Sequence, residues 1–475
     1  MGLGVTAADS YIVLLSIYDS SGRLKDTTRP WGDPRPMQDQ VRQFERRVAS
    51  REARIAVIGL GYVGLPLAVE LARAGYKVTG IDTDRAKVSG VLSGRSHVED
   101  IPTRVLRPLV RKKRIDARDH YRGCGAFDAI FIAVPTPLRK TKDPDISYIV
   151  ASVGEIAREI RPGQLIVLES TTYPGTTEEV VRPKLESGGL KAGKDFFLAF
   201  SPERVDPGNP VYWTKNTPKV VGGSTRLCTR MAALLYGQVI EKVHPVSSTR
   251  SAEMIKLLEN TFRAVNIGLV NEIALMCEKL GLDVWEVIDG AATKPFGFMR
   301  FYPGPGIGGH CIPLDPHYLS WKLKTLNYSA RFIELASEVN GHMPEVVVAR
   351  AAALLNRKRK SVRGSRIFVL GVAYKRDTGD TRESPALDVM KLLLDRGATV
   401  CFHDPYAKVV RLDGGSTRRV SSLTRSSLRA ADLVVIVTDH SAYDYEEVVK
   451  HARLVLDTRN ATRNVKSGRG KVFKL

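Results

Sequence analysis

From Arg54 onward, the hydrophobic pattern alternates between short apolar runs and amphipathic stretches. RIAVIGLG has the pattern of a buried strand ending in glycines, LAVELARAG places apolar residues at helical spacing, and KVTGID resembles a second strand. Further strand-like runs follow, separated by helical stretches, at AFDAIFIAV, QLIVLES, DFFLAFS and PKVVGG. This alternation predicts a parallel, doubly wound sheet, which we place at residues 51–245.

The pattern changes over residues 249–283, where apolar residues recur at helical spacing without a break. This predicts a helix longer than the usual 8–20 residues, which joins two domains within a central helical domain at 246–355. After a basic linker (356–366), strands and helices alternate again in the order of the first half. We therefore predict an α/β fold in which the long helix and central domain join two Rossmann-like, doubly wound domains, the second at 362–475.

Residues 1–50 show no sustained periodicity and contain the turn-rich stretch DTTRPWGDPRP. We expect an N-terminal extension that is poorly ordered or forms a helical arm.

The composition, 43% hydrophobic and 26% charged, is typical of a globular protein. The net charge of +21 suggests an anionic partner, which is nucleic acid, a membrane surface or a phosphorylated small molecule. No apolar run approaches the ~20 residues needed to span a bilayer, and no nucleic-acid-binding motif accompanies the basic runs. We therefore expect neither a membrane nor a nucleic acid as partner. Five scattered cysteines without a CxxC pair predict a reduced, cytoplasmic protein.

A glycine-rich fingerprint, Gly59-x-Gly61-x-x-Gly64, follows the first predicted strand and opens a helix, and Asp82 ends the next strand. Such glycines permit a tight turn and let the backbone approach a pyrophosphate at the helix N-terminus. The carboxylate would accept a hydrogen bond from a ribose 2′-hydroxyl and repel a 2′-phosphate. The fingerprint therefore predicts NAD as cofactor rather than NADP.

Cys311 lies in a glycine-rich loop (304–315), where a cysteine is more accessible than in a core, and His310 and Asp315 are close enough in sequence to assist a thiolate. Two alternatives are a buried structural cysteine and a zinc site that adds His317. Adjacent ligands at 310 and 311 fit a tetrahedral site poorly, so we expect no metal.

Two further groups of polar residues are candidates. Lys256 and Asn260 share one face of the long helix, either as donors to a developing oxyanion or as the solvated side of that helix. The turn at 371–382 is rich in cations, hydroxyls and glycine, and either binds a diphosphate or sugar or is a solvated loop.

Five motifs in this order, GLGYVGLPLA, SPERVDPG, AEMIKLLEN, GGHCIPLD and YKRDTGDTRES, resemble the nucleotide-sugar 6-dehydrogenases. These NAD-dependent enzymes oxidise a sugar C6 alcohol to a carboxylate. The resemblance spans about residues 53–460 and is closest to the UDP-N-acetylglucosamine 6-dehydrogenases. UDP-N-acetylmannosamine dehydrogenases are close relatives. UDP-glucose and GDP-mannose enzymes resemble it less, because they carry serine or tyrosine where this chain has His310.

The resemblance implies a role for each matching residue. Cys311 would form a thiohemiacetal and then a thioester with C6, and Lys256 and Asn260 would stabilise the oxyanion and contact the substrate. Asp315 would position or deprotonate a water, which Thr172 and Glu203 organise. The implied cofactor contacts are Gly59, Gly61, Tyr62, Val63, Gly64, Asp82, Lys87, Pro135, Thr136, Thr171 and Arg382. The further implied substrate contacts are Arg204, Tyr302, Gly308, Lys375 and Arg459.

The resemblance also carries one departure. Pro207 replaces the second glutamate of the PEFLxEG pattern found in other branches, so no role transfers there, and we expect Arg204 to help set sugar specificity. The partners we expect are a UDP-N-acetylhexosamine and further copies of this chain, because the long helix is apolar and Arg382 in the family reaches NAD, in some cases that of a neighbouring subunit. The competing hypothesis is a two-electron hydroxyacid dehydrogenase with a catalytic lysine, which leaves the cysteine loop and third domain unexplained.

Overall fold

The computed structural model describes residues 35–475 except 140–142, 207, 210, 310, 413 and 414. Its first unit is built on an eight-stranded sheet in the order β3-β2-β1-β4-β5-β6-β7-β8. The strands are β1 Arg54–Ile58, β2 Lys77–Ile81, β3 Ile115–Arg118, β4 Ala129–Ile132, β5 Leu165–Leu168, β6 Phe197–Phe200, β7 Lys219–Gly223 and β8 Val243–Val246. All neighbours pair in parallel except β6 and β7, which are antiparallel.

Helices cover both faces of this sheet, as a parallel sheet requires. They are α1 Arg35–Ala49, α2 Gly64–Arg73, α3 Arg85–Leu92, α4 Thr103–Arg111, α5 Ser147–Ala157, α6 Arg182–Leu185 and α7 Arg226–Tyr236. A π-helical segment, Thr177–Val181, precedes α6, and 3₁₀ turns lie at Cys124–Ala126 and Glu186–Gly188. Along β1 and β4, alternate side chains enter two separate cores, with Val57 and Phe131 in one and Ile58 and Ile132 in the other.

The central unit consists of four helices: α8 Thr249–Leu280, α9 Val284–Ala291, α10 Asp315–Lys324 and α11 Arg331–Arg357. The Ser248 hydroxyl caps the start of α8, and Gly281, with φ at 69°, ends it. Gly268 allows α11 to pack closely, because a Cβ at that position would lie 3.2 Å from the Ala336 Cα. Asn340 on α11 also donates to the Ala264 carbonyl oxygen at 3.1 Å.

The C-terminal unit has a five-stranded parallel sheet in the order β10-β9-β13-β14-β15 and a hairpin of β11 and β12. Its strands are β9 Arg366–Leu370, β10 Thr399–His403, β11 Val409–Arg411, β12 Thr417–Arg419, β13 Leu433–Ile436, β14 Val455–Asp457 and β15 Val472–Lys474. Its helices are α12 Pro385–Asp395, α13 Arg425–Ala430 and α14 Tyr445–His451, with a 3₁₀ turn at Arg469–Lys471. The predicted fold class, two sheet units around a helical middle, is confirmed.

The N-terminal helix α1 packs against the first sheet unit. Val41, Phe44 and Val48 are buried on its inner face, and the Phe44 ring centroid lies 5.8 Å from that of Phe197. Arg47 forms an ion pair with Asp128 at 2.9 Å. The last part of the expected extension is thus a docked helix, while residues 1–34 lie outside the described part of the chain. None of the described helices is both long enough and apolar enough to cross a membrane.

We expect Phe44→Ala to lower the free energy of unfolding by about 3 kcal/mol, because it leaves a cavity between α1 and the sheet. Denaturant unfolding of the intact chain measures the change. Gln43→Ala, which alters an exposed side chain on the same helix, is the matched control and should change stability by less than about 0.5 kcal/mol. Equal effects of the two substitutions would contradict the docking of α1.

Candidate active site

The candidate active site lies where the carboxyl ends of the first sheet meet the cysteine loop and the turn after β9. In open α/β sheets, ligands bind outside the carboxyl ends of the strands. Gly59, with φ at 89°, makes the turn after β1, and a Cβ at Gly64 would lie 1.8 Å from the Gly59 carbonyl oxygen. A Cβ at Gly61 would meet nothing within 4 Å, so its backbone is open to a ligand. Val63 lies at the start of α2.

Asp82 follows β2 at the same edge and is 9% exposed. Its Oδ2 accepts a hydrogen bond from the Leu60 backbone at 2.8 Å and lies 3.4 Å from Lys87 Nζ. The carboxylate therefore supports the glycine-rich turn from within and still reaches the surface. This arrangement fits NAD, because an open backbone and an acidic residue at the ribose position are both present.

The second sheet carries an acid at the corresponding position, Asp404 after β10, but that acid is closed off. Both Asp404 and His440 are fully buried, and His440 Nε2 lies 2.9 Å from Asp404 Oδ2. The Asp377 backbone donates to His440 Nδ1 at 2.9 Å, so Nε2 carries the proton and donates to the carboxylate. These bonds hold the Asp404 pKa at about 2 despite burial. The carboxylate of Asp404 is thus already engaged within the protein and closed off from a ribose.

Two loops at the carboxyl ends of β4 and β5 carry other predicted residues. Pro135 and Thr136 follow β4, where Tyr318 donates to the Thr136 carbonyl oxygen. Thr171 is half-buried after β5, and the buried Thr172 shares a 2.5 Å hydrogen bond with the Thr176 hydroxyl.

Cys311 is exposed to solvent and lies four residues before Asp315, which is the first residue of α10 and is 3% exposed. Asn260 Nδ2 donates to Asp315 Oδ2 at 2.5 Å, and Lys256 Nζ donates to the Glu203 carbonyl oxygen at 2.5 Å. Because Lys256 and Asn260 are buried on the same face of α8, the solvated-face alternative is wrong. The structure brings the thiol, ammonium, amide and carboxylate of the predicted catalytic set together.

Burial and charge act against each other in this cluster. Desolvation by the surrounding protein raises the pKa of the Cys311 thiol although its surface is open, and the Lys256 cation lowers that pKa. Burial raises the Asp315 pKa to about 6 against the effects of Lys256 and Asn260. Burial opposes the charge of Lys256, but the neighbouring acidic groups raise its pKa overall. The ammonium is therefore charged at neutral pH.

The C-terminal unit packs directly on the cysteine loop. Gly309 donates its backbone N–H to the Arg382 carbonyl oxygen at 3.0 Å, and a Cβ at Gly308 would lie 2.6 Å from the Glu383 carbonyl oxygen. The Arg459 guanidinium packs against Gly304, where an added Cβ would be 2.4 Å from Nη1. These glycines are required by the close approach of the two units.

Three predicted cations join the units around the site. Lys375 forms a 2.7 Å ion pair with Asp206, across the gap between the C-terminal turn (371–382) and the loop after β6 (201–206), here called the SPER loop. The Arg382 guanidinium lies 5.1 Å from the centroid of the Tyr62 ring of the same chain and pairs with Asp380 at 2.6 Å. Arg204 forms a two-point ion pair with Glu259, at 3.1 and 2.5 Å.

One predicted substrate residue makes its contacts elsewhere. The Tyr302 hydroxyl donates to Asp289 on α9 at 2.6 Å, and its ring stacks 5.3 Å from Trp285. The structure of this single chain does not bring Tyr302 into the cysteine cluster.

Sequence reasoning missed four buried polar residues behind the site. Lys219 lies between Glu169 and Glu203, at 3.2 and 3.1 Å, and Tyr236 donates to Glu169. Glu253 on α8 accepts from the Gly175 and Thr177 backbones at 2.6 and 2.9 Å, which fixes the loop carrying Thr172; its pKa is raised to about 7 by burial. The one signal in the sequence that could have identified these four residues was the presence of an ionisable residue beside or within each apolar run.

No three His, Cys, Asp or Glu side chains cluster so as to hold a metal ion in the described ranges. His310 of the zinc alternative, like Pro207 of the departing motif, lies outside them. A cavity of about 500 Å³ opens beside the cysteine loop, lined in part by Pro137, Ile312, Pro316 and Arg382. Its volume lies within the range of small-molecule binding sites.

Three family models match this chain in sequence order. They describe the UDP-glucose/GDP-mannose dehydrogenase family: its NAD binding domain matches residues 53–240, its central domain residues 250–342, and its UDP binding domain residues 368–464. Together they cover most of the chain.

Individual relatives agree with the family models. The chain is 35% identical over 413 residues to the UDP-N-acetyl-D-mannosamine dehydrogenase of Pyrococcus horikoshii, covering 86% of this chain and 95% of that protein. It is 31% identical over 395 residues to the UDP-N-acetyl-D-glucosamine 6-dehydrogenase of Pseudomonas aeruginosa, covering 83% and 92%. A solved structure of the UDP-D-ManNAc dehydrogenase from Pyrococcus horikoshii superposes with a TM-score of 0.79 at 34% identity, covering 87% of this chain and 96% of that one. The chain therefore belongs to the UDP-glucose/GDP-mannose dehydrogenase family and is an NAD-dependent nucleotide-sugar dehydrogenase.

Proposed function

We propose that this protein oxidises the C6 alcohol of a UDP-N-acetylhexosamine to a carboxylate in two successive two-electron steps. The proposal is supported by the exposed Cys311 thiol, which interacts electrostatically with Lys256 and with an Asp315 carboxylate that Asn260 binds. A simple alcohol dehydrogenase has no use for a nucleophilic cysteine at this point.

Cys311 supplies the covalent step. The first oxidation removes a hydride and a proton from the C6 alcohol and gives an aldehyde, to which the thiolate adds to form a thiohemiacetal. The second oxidation converts it to a thioester, and attack by water releases the carboxylate and the free thiol. Two NAD molecules, bound one after the other, would supply the hydride acceptors for the two oxidations, and the glycine-rich turn with Asp82 would hold each of them.

The residues around Cys311 stabilise the negative charges that form during the reaction and accept a proton from water. Lys256, charged at neutral pH, favours the Cys311 thiolate and the oxyanion that forms at C6. With its pKa near 6, Asp315 is mostly ionised at pH 7 and can accept a proton from the attacking water while Asn260 orients it. This chemistry needs a free thiol, and all five cysteines are free, so we propose that the enzyme works in a reducing cytoplasm.

Cations around the cleft suit a nucleotide-sugar diphosphate. Lys375 and Arg459 reach it from the C-terminal unit, and Arg204 lies on the SPER loop with its orientation fixed by Glu259. The sequence motifs favour the gluco epimer, whereas several relatives are named UDP-N-acetyl-D-mannosamine dehydrogenases. Both epimers carry the 2-acetamido group, and we propose both as substrates. The sequence motifs of this chain place UDP-N-acetylglucosamine before UDP-N-acetylmannosamine.

We propose that the chain acts as a dimer or larger oligomer. Along α8, an exposed apolar stripe recurs on one face over some six turns, formed by Met254, Leu258, Phe262, Leu269 and Met276. A contiguous apolar strip of this kind marks an interface, and a second copy with the same strip is its self-complementary partner.

A substrate panel tests the activity. With NAD in excess, we expect UDP-N-acetylglucosamine or UDP-N-acetylmannosamine to give the highest kcat/KM, above UDP-N-acetylgalactosamine and UDP-glucose, with two NADH formed per uronate. Cys311→Ser should lower uronate formation at least 100-fold, while Cys401→Ser, at a half-buried cysteine on β10, should leave it unchanged. One NADH per turnover would support the two-electron hydroxyacid alternative instead, and undiminished uronate formation by Cys311→Ser would refute the covalent step.

The pH dependence of Cys311 alkylation tests the role assigned to Lys256. Removing the cation in Lys256→Met should raise the thiol pKa, because burial and Asp315 still raise it while the largest of the lowering effects is lost. Iodoacetamide labelling, followed by peptide mass spectrometry, should then show its half-maximal rate about one pH unit higher and a slower rate at pH 7.5. Lys322→Met, which removes a lysine outside the cluster, is the control. An unchanged labelling profile for Lys256→Met would refute the assignment.

Leu269→Glu tests the proposed interface. A buried carboxylate in the stripe should shift the protein to a smaller species at micromolar concentration in light scattering. Leu92→Glu places the same charge on an exposed leucine outside α8 and should leave the mass unchanged. A parent chain that is already monomeric would overturn the proposal.

A further inference from the structure

We propose that Lys219 is a positioning residue of this reaction, which joins the two segments that carry Thr172 and Glu203 and thereby sets the place of Lys256. The inference rests on the proposed function for its meaning, but its geometry and its first test do not require a sugar substrate.

Lys219 is the first residue of β7, and its side chain is only 4% exposed. Its ammonium lies 3.2 Å from Glu169 Oε2 and 3.1 Å from Glu203 Oε2, and 5.5 Å from the centroid of the Tyr236 ring. Glu169 directly follows β5, three residues before Thr172, and Glu203 follows β6. Because β6 and β7 are antiparallel, the start of β7 lies at the same edge as the ends of β5 and β6. One cation therefore spans both segments.

The SPER loop is arranged around the carboxylate that Lys219 holds. Glu203 Oε1 accepts from the backbone N–H groups of Arg204 and Val205, both at 2.8 Å, while Oε2 faces Lys219. This turns the Glu203 carbonyl oxygen toward α8, where Lys256 donates to it at 2.5 Å. The side chain of Glu203 thus binds Lys219 and its own loop, whereas its backbone carbonyl oxygen makes the contact with Lys256.

The far end of the network is anchored in the core. Glu169 is fully buried and accepts from the Tyr236 hydroxyl at the end of α7. Contacts therefore run from Tyr236 through Glu169, Lys219 and Glu203 to Lys256. A rigid network of hydrogen-bonded side chains holds the functional groups that it contacts in a fixed position.

The energetics favour a role in orientation over one in stability. Burial opposes the charge of Lys219, but the two carboxylates raise its pKa overall; Lys219 in turn is the main cause of the lowered pKa of Glu203. Buried ion pairs rarely stabilise a fold more than apolar residues of the same size would. What apolar residues cannot supply is a fixed direction for the Glu203 backbone.

Lys219→Met and Lys219→Arg separate orientation from stability. In the intact chain, without substrate, Lys219→Met should raise the pH of half-maximal Cys311 alkylation in the same direction as Lys256→Met, because the ammonium of Lys256 loses its fixed place. With the best UDP-sugar of the panel, kcat should fall about tenfold or more while the KM for NAD stays within about twofold. Lys219→Arg, which keeps the cation, should recover at least part of both effects.

The double variant Lys219→Met/Glu169→Gln removes the cation together with one buried charge and covers the case in which the single variant fails to fold. Lys215→Met, at an exposed lysine four residues upstream, is the control and should match the parent. Folded Lys219 variants with the parent's alkylation profile and kcat would overturn the proposal. A shifted profile in a protein that oxidises no UDP-sugar would leave the positioning role standing and refute the proposed function.

Discussion

A buried ammonium is costly unless acidic groups surround it, and the site depends on how this chain meets that requirement at Lys256. Burial opposes the charge of Lys256, and the groups that favour it are the Cys311 thiolate, once that thiol ionises, and the carboxylates of Asp315, Glu203 and Glu259, in that order of effect. The same attraction lowers the thiol pKa. The stability of the cation and the reactivity of the nucleophile are therefore two sides of one interaction, and any residue that moves Lys256 alters both.

The two sheet units illustrate how one topology serves two purposes. Each has an acid after the second strand in position to accept from the turn after the first, Asp82 in one and Asp404 in the other. Asp82 is 9% exposed, whereas Asp404 is fully buried against His440, which uses its other ring nitrogen to hold the turn that carries Lys375. The first unit is left open for the dinucleotide, and the second uses its acid to fix a loop over the cysteine.

Much of this could be predicted from the sequence, because apolar periodicity is a local property. The parallel sheets and the long helix follow from spacing, and the resemblance to a known family implied the grouping of Cys311 with Lys256. The direction of β7 and the docking of α1 could not be predicted. The apolar periodicity of a strand or helix indicates which face is buried, but not which element packs against that face. The same holds for Lys219: a lone lysine before an apolar strand resembles a solvated end until Glu169 and Glu203 are brought to it from elsewhere in the chain.

The central claim is that the sugar is held covalently on Cys311 between the two oxidations. The most direct measurement is peptide mass spectrometry after a single turnover with a UDP-N-acetylhexosamine and NAD, stopped by acid within milliseconds to preserve a thioester. The account predicts that the peptide containing Cys311 gains the mass of the UDP-sugar acyl group, that hydroxylamine removes this mass, and that peptides with Cys124, Cys228, Cys277 and Cys401 gain none. Formation of uronate at full rate with an unmodified Cys311 peptide at every time point, and free aldehyde in solution instead, would contradict it.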